Sequence, residues 1–322
     1  MKLRNLPFHV LSRLGFYGEI RFGRAGRGDE ARPTYYVVRR ALRWGDSGFF
    51  SNYFFALSHY AYALGRGWRP VIDMRNYGTL YTEKGGVDGE RNAWNYYFLQ
   101  PHGTREAYRS RRFVLSEATV PAPGFYPIAE TDSACELDPA VAPGLLRIAE
   151  TDLAIRPELV ERFEREFAPL LGGKRILGVH YRGGDKRAPP PGHRQAVPEK
   201  ALLESLDEML EGNPDAIFLA TDEDGVAELL EARTSMPVVR LSAKRLPAGS
   251  HEGLHTSTAN DRPMDRYRLG LEVLRDAWFL SRCDYLLCGH SNVSNAALFL
   301  RGRPFRKIRV VDTGAPAGGS GA

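Results

Sequence analysis

Residues 176–222 read ILGVHYRGGDKRAPPPGHRQAVPEKALLESLDEMLEGNPDAIFLATD, and their pattern decides the fold class. Residues 176–180 (ILGVH) form a short apolar run after Gly172-Gly173, the mark of a buried strand. Pro198 then opens a segment in which Ala201, Leu202, Leu206, Met209 and Leu210 recur at helical spacing until Gly212 stops it. Residues 216–220 (AIFLA) are a second apolar run. Strand, long loop, helix, strand is a crossover unit, and such units build parallel sheets with helices on their faces.

Toward the C-terminus the alternation continues. A short helix is predicted over 226–232, a strand over 237–241, a long polar loop over 242–264 and an amphipathic helix over Asp265–Arg282. A strand follows at 285–288 (YLLC), then a helix capped by Ser291 or Asn292 and running to about Leu300, then a last strand at 308–311. Toward the N-terminus the pattern is less regular but similar in kind: a strand at 35–38, a helix over 50–64, a strand at 69–74, an aromatic segment at 92–98 and a Pro- and Gly-rich stretch at 121–144. With 322 residues, this predicts two Rossmann-like α/β domains of parallel sheet, residues 1–155 and 156–314, and a disordered tail over 315–322.

Net charge is +5, but residues 1–43 hold ten basic and three acidic side chains, so the remaining chain is close to neutral. Charge alone therefore does not make the body a nucleic-acid binder. The surplus sits in an arm that either packs or frays, or lies on an anionic membrane surface as a peripheral contact. Three cysteines without regular spacing argue against a disulfide framework. With no apolar run long enough for a signal peptide or a membrane span, the expectation is a cytoplasmic protein.

In an open parallel sheet, ligands bind outside the carboxyl ends of the strands. There the second half places His180-Tyr181-Arg182-Gly183-Gly184-Asp185-Lys186, then Thr221-Asp222-Glu223-Asp224, then Gly289-His290-Ser291-Asn292. Arg182 offers a planar donor fork, Gly183 and Gly184 let backbone amides approach a ligand, and the amides opening the Asn292 helix attract anions. The set suits a diphosphate. Asp222 suits the N1 and exocyclic amine of guanine, which donate two parallel hydrogen bonds. Taken singly, the RGGD run is also a turn with a surface ion pair, and Asp222 also a helix cap.

GVHYRGGDK resembles the first motif of the fucosyltransferases that use GDP-fucose, the α-1,6-fucosyltransferase and rhizobial nodulation-enzyme group, and more distantly the protein O-fucosyltransferases. IFLATDE is similar to their second motif and DAWFLSRCDYLLCGHSNVSNAAL to their third, in order over residues 176–298. Over the first half the likeness rests on GFFSNYFFALSHYAYALGRGWRPVIDM and on Asn92-Ala93-Trp94. The resemblance implies a GT-B glycosyltransferase whose two domains face across a cleft, with the donor in the second. It implies that Arg182 clamps the β-phosphate, that His180 and Asp222 contact guanine, and that Ser291 and Asn292 lie at the phosphates. It further implies an inverting, metal-independent transfer of fucose or a related deoxyhexose from a GDP-sugar to a carbohydrate or lipid-linked acceptor, with no cofactor.

Two departures qualify this. Gly183 stands where the α-1,6 enzymes carry a second arginine, and Pro190 stands where they carry a candidate base glutamate. Asp185 is then the candidate base, with Asp73 of the first domain behind it and Trp94 as an acceptor-stacking or core residue. Asp222 with Asp224 also fits the metal site of GT-A transferases. The lost glutamate also fits an inactive GDP-sugar-binding module. His251, His255 and His290 lack the spacing of a zinc site.

Overall fold

The computed structural model describes residues 19–22, 33–40, 47–110, 112–117, 126–131, 134–187, 195–254 and 262–311. Most of the basic arm, the 189–191 loop with Pro190, His255 and the 315–322 tail lie outside the described residues, as does the side chain of Asp185. The chain is mixed α/β with parallel sheets, and it divides into two compact units. One is drawn from residues up to 127, 139–159 and 260–270, the other from 128–138, 160–259 and 271 onward.

The first unit holds a four-stranded sheet of β1 (Ile20–Phe22), β2 (Tyr35–Val38), β3 (Arg69–Ile72) and β4 (Phe113–Leu115), in the order β1-β4-β2-β3. β2 runs parallel to both β3 and β4, as crossovers require, while β1 joins the outer edge of β4 antiparallel. This sheet is therefore mixed, not purely parallel as expected. Helix α1 (Phe49–Gly65) is the crossover from β2 to β3, and it is apolar around most of its circumference. Phe49, Phe50, Tyr53, Phe54, Leu57 and Tyr60 are all buried. It stops where Gly67, at φ +68, turns the chain into β3. Helices α2 (Thr104–Arg109) and α3 (Ala142–Thr151) complete the unit's helices among the described residues.

The second unit holds β7 (Ile176–Tyr181), β8 (Ala216–Thr221), β9 (Val238–Val239), β10 (Tyr285–Cys288) and β11 (Lys307–Val310) in the order β11-β10-β7-β8-β9, every neighbouring pair parallel. Between the strands lie α5 (Glu199–Leu210), α6 (Val226–Glu231), α7 (Asp265–Arg282) and α8 (Asn292–Arg301), after α4 (Pro157–Leu171). Every residue of β7 and β8 is buried, which is why these strands read as continuous apolar runs without alternation. Leu177, Val179, Ile217 and Leu219 pack with Leu202, Leu206 and Met209 of α5. Burying each such side chain contributes roughly 1.5–3 kcal/mol. Gly178 lets α7 approach β7, since a Cβ there would lie 3.0 Å from Cys283 Sγ and from Leu280 Cδ2. All three cysteines are buried thiols.

The strand expected over 237–241 shrinks to two residues, because it is an edge strand with β8 as its one partner. A hairpin, β5 (Ile128–Glu130) and β6 (Cys135–Leu137), arises within the Pro- and Gly-rich stretch and belongs to the second unit. Its three-residue strands are too short to leave a period in the sequence. Among the described residues no helix is long and apolar enough to cross a membrane.

Candidate functional site

β7 is the first strand of the second sheet in chain order. The chain proceeds from it to β8 and β9 on one side, then returns to place β10 on the other. The strand order thus reverses between β7 and β10, the place at which open parallel sheets bind ligands. His180, one residue before the end of β7, pairs with Cys288, the last residue of β10.

Three residues join the two strand ends. Ser291 caps α8, its Oγ accepting from the amides of Val293 at 3.1 Å and Ser294 at 3.2 Å. Ser294 Oγ donates to the Gly289 carbonyl at 3.0 Å, so its lone pairs face the imidazole and His180 Nδ1–H donates to it at 2.8 Å. Burial, aided by the charge of Arg182, lowers the His180 pKa to about 3, so the ring is neutral at physiological pH. With Nδ1 protonated, Nε2 is the ring's acceptor. At 6% exposure His180 is chiefly a tie between β7 and the cap of α8.

Arg182 follows β7 and keeps about a quarter of its side chain exposed, with Nε 4.0 Å from Asp222 Oδ2. Asp222 Oδ1 accepts the Gly183 amide at 3.1 Å. That carboxylate therefore orients the β7 loop and its arginine, and the Gly183 amide is not left pointing at a ligand as the sequence suggested. Both glycines are required by packing. A Cβ on Gly183 would collide with Glu223 Oε2, and Gly184, at φ +43, faces the Glu252 carbonyl closely enough that a Cβ would clash. Glu223 is 2% exposed; its Oε1 accepts Arg187 Nη2 at 2.6 Å and the Gly249 amide at 2.5 Å. Asp224 is exposed, with Oδ1 3.9 Å from Arg240. The three acidic residues after β8 thus have three different sets of partners, and among the described residues no group of three or more His, Cys, Asp or Glu is placed to hold a metal.

The structure brings His180, Arg182, Gly183, Gly184, Asp222, Ser291 and Asn292 to one rim of the second unit. Asp73 and Trp94 belong to the first unit. Asp73 is fully buried in the first unit, its Oδ1 accepting the Arg75 and Asn76 amides and its Oδ2 accepting Asn76 Nδ2 and Tyr108 OH, both at 2.7 Å. Those four bonds close the turn after β3 and leave no geometry for a base. Trp94 is 1% exposed, its Nε1 donating to the Leu99 carbonyl at 3.1 Å and its ring stacked on Tyr53. It lines a cavity of about 20 Å³ among Phe49, Tyr81, Tyr97 and Phe98, so it is a core residue.

One carboxylate escaped the sequence reading. Asp276 of α7 is partly buried and neighbours Arg275, Arg245 and Glu272; burial raises its pKa to about 7 against the pull of the arginines. Leu246, next to Arg245, donates its amide to the Asp222 carbonyl at 2.8 Å and accepts the Asp224 amide at 2.9 Å, so Asp276 adjoins the loop that edges this rim. An aspartate flanked by the buried Arg275 and Ala277 on an amphipathic helix was the available signal.

No protein-family model matches this sequence, and no curated protein matches it. Among solved structures it is similar to fucosyltransferase NodZ from Bradyrhizobium, at 17% identity over 83% of this chain and 93% of NodZ, with a TM-score of 0.47. It is also similar to Arabidopsis thaliana FUT1 in complex with GDP, at 13% identity over 94% of this chain and 76% of that one, with a TM-score of 0.44. The chain is likewise similar to POFUT1 in complex with GDP-fucose, at 12% identity over 87% and 74% of the respective chains, with a TM-score of 0.40.

Proposed function

We propose that the protein is a GT-B glycosyltransferase that moves fucose, or a related deoxyhexose, from a GDP-sugar to a glycan or lipid-linked acceptor. The observation that carries this is the convergence of the three sequence motifs on one rim at the strand-order reversal, with Arg182 held by Asp222 and the α8 cap held by His180. In this reading the diphosphate lies between the Arg182 guanidinium and the opening amides of α8. As the bond from sugar C1 to the diphosphate breaks, negative charge develops on the β-phosphate, and in this reading the guanidinium and the amides stabilise it. The acceptor oxygen enters from the opposite face of C1, which inverts the anomeric centre and needs no metal.

Guanine is read by a carboxylate. Asp222 was the residue expected, but it already accepts the Gly183 amide, so Asp276 joins it as a candidate. The two units are the two domains of the GT-B plan. The enzyme is cytoplasmic, and the basic arm, residues 1–43, gives it peripheral contact with an anionic membrane.

Calorimetric titration with GDP, GDP-fucose, UDP and ADP tests the donor reading. Binding of the two guanosine nucleotides over the others is expected, and absence of binding to every GDP-sugar tried overturns it. Turnover that survives EDTA is expected, whereas its loss selects the metal-dependent alternative through Asp222 and Asp224.

A further inference from the structure

The hairpin β5–β6 delivers a carboxylate to the donor rim. Glu130 ends β5 directly opposite Cys135, and both side chains engage Asn295 of α8. Cys135 Sγ donates to Asn295 Oδ1 at 3.0 Å, while Asn295 Nδ2 donates to Glu130 Oε1. The other carboxylate oxygen, Oε2, lies 3.7 Å from His290 Nδ1. His290 immediately precedes the Ser291 cap and Asn295 lies one turn inside the helix, so the Glu130 carboxylate stands beside the first turn of α8. A turn rises only about 5.4 Å. Asn295 is 2% exposed and the His290 side chain 3%, whereas Glu130 retains 31%. One oxygen is fixed by a buried amide and the group still meets solvent.

The rim's other described carboxylates are differently placed. Asp222 holds the Gly183 amide and Arg182, Glu223 lies buried under Arg187 and the Gly249 amide, and Asp224 faces Arg240. We propose that Glu130 is the general base of the transfer, accepting on Oε2 the proton of the incoming hydroxyl; this rests on the glycosyltransferase reading given above. The acceptor O–H bond breaks and its proton passes to Oε2. The oxygen bonds to sugar C1, and the bond from C1 to the β-phosphate oxygen breaks with its electron pair leaving on GDP. The proton then exits to water, since Oε2 belongs to an exposed group. Asn295 and His290 are positioning residues in this scheme.

The test uses the full chain with GDP-fucose and water as the acceptor, so no acceptor need be known. GDP release and GDP affinity are measured for the wild type, Glu130→Gln, Glu130→Asp and Asp185→Asn. A general base contributes about 10²–10⁴-fold. Glu130→Gln, which keeps the Asn295 contact, is therefore expected to release GDP at least about 100-fold more slowly. Its GDP affinity and melting temperature should match the wild type, and Glu130→Asp should recover part of the rate. Release within threefold of wild type in Glu130→Gln, or an equal loss of GDP affinity, overturns the assignment, and a selective loss in Asp185→Asn names that residue instead. If the wild type binds GDP but releases none from GDP-fucose, the base assignment falls while the donor reading stands. If it binds no GDP, both fall.

Discussion

Both sheets reverse their strand order, yet the two strand-end rims differ. In the first unit β2 is flanked by β3 and β4, and in the second β7 is flanked by β8 and β10. Arg39 and Asp73, which follow β2 and β3, are wholly buried. Arg39 donates its amide to Ser116 Oγ at 3.0 Å and its Nε to the Ser116 carbonyl at 2.7 Å, and Asp73 is spent on Asn76, Arg75 and Tyr108. Arg182 and Asp222, which follow β7 and β8, keep 26% and 16% of their side chains exposed. A strand-order reversal creates a crevice, but the crevice becomes a binding site only where the polar groups at its floor are not consumed by the protein's own turns. Charge at a strand end is buried within the fold in one unit and stays partly open to solvent in the other.

The contrast is tested most strongly through His180. Its folded-state pKa, about 3, lies below the ordinary value of 6.5, because burial disfavours the charged ring. The stability this represents is complete above about pH 6.5 and is lost as pH falls toward 3, up to about 5 kcal/mol at one unit per 1.36 kcal/mol. Chemical denaturation from pH 7 to 4 should show the second unit losing stability steeply, and His180→Gln should flatten that limb. A pH response unchanged in the variant would remove His180 from the tie between β7 and α8.

Next in size is a paired substitution. Arg182→Ala should slow GDP-sugar turnover about 10²–10³-fold, the scale of a lost transition-state donor, with a melting temperature near that of the wild type. Asp73→Ala should do the reverse. It strips four donors of their acceptor and should destabilise by about 2–4 kcal/mol while GDP affinity stays unchanged. Equal effects of the two on binding would erase the distinction between the rims.

Gly183→Ala should cost about 1–3 kcal/mol, because the new methyl must displace Glu223 from beneath the loop. Thermal unfolding measures this, and a neutral result would mean that the Glu223 side chain can move aside. The smallest effect is expected at Asp276. Its raised pKa means that its contribution is fully present below about pH 4 and is lost as pH rises through about 7, the opposite sense to His180. Asp276→Asn should therefore raise stability above pH 7 and, if the carboxylate reads guanine, weaken GDP binding in the same calorimetric series.

The motif residues were legible because each sits at the carboxyl end of a strand long enough to read as one. β7, β8 and β10 are continuous buried runs, and the order of elements forces a parallel arrangement, so His180, Arg182, Asp222 and Ser291 had to reach one edge. Asp276 was less visible, since one acidic residue on an amphipathic helix has the same local pattern whether it meets solvent or a loop. Glu130 was not visible at all. It ends a three-residue strand in a Pro- and Gly-rich stretch, and nothing local records that the hairpin packs on α8.

By itself the sequence determined the α/β class, the strand and helix order of the second unit and the chemistry gathered at its strand ends, because periodicity and caps are local properties. Only the tertiary structure decided which of those polar groups are spent internally. The Gly183 amide is taken by Asp222, Asp73 is consumed by its own turn and Trp94 is sealed among aromatic rings, while Glu130 is carried to α8. A hydrogen-bond acceptor can be satisfied by a partner far away in the chain, and the spacing of residues carries no trace of that partner.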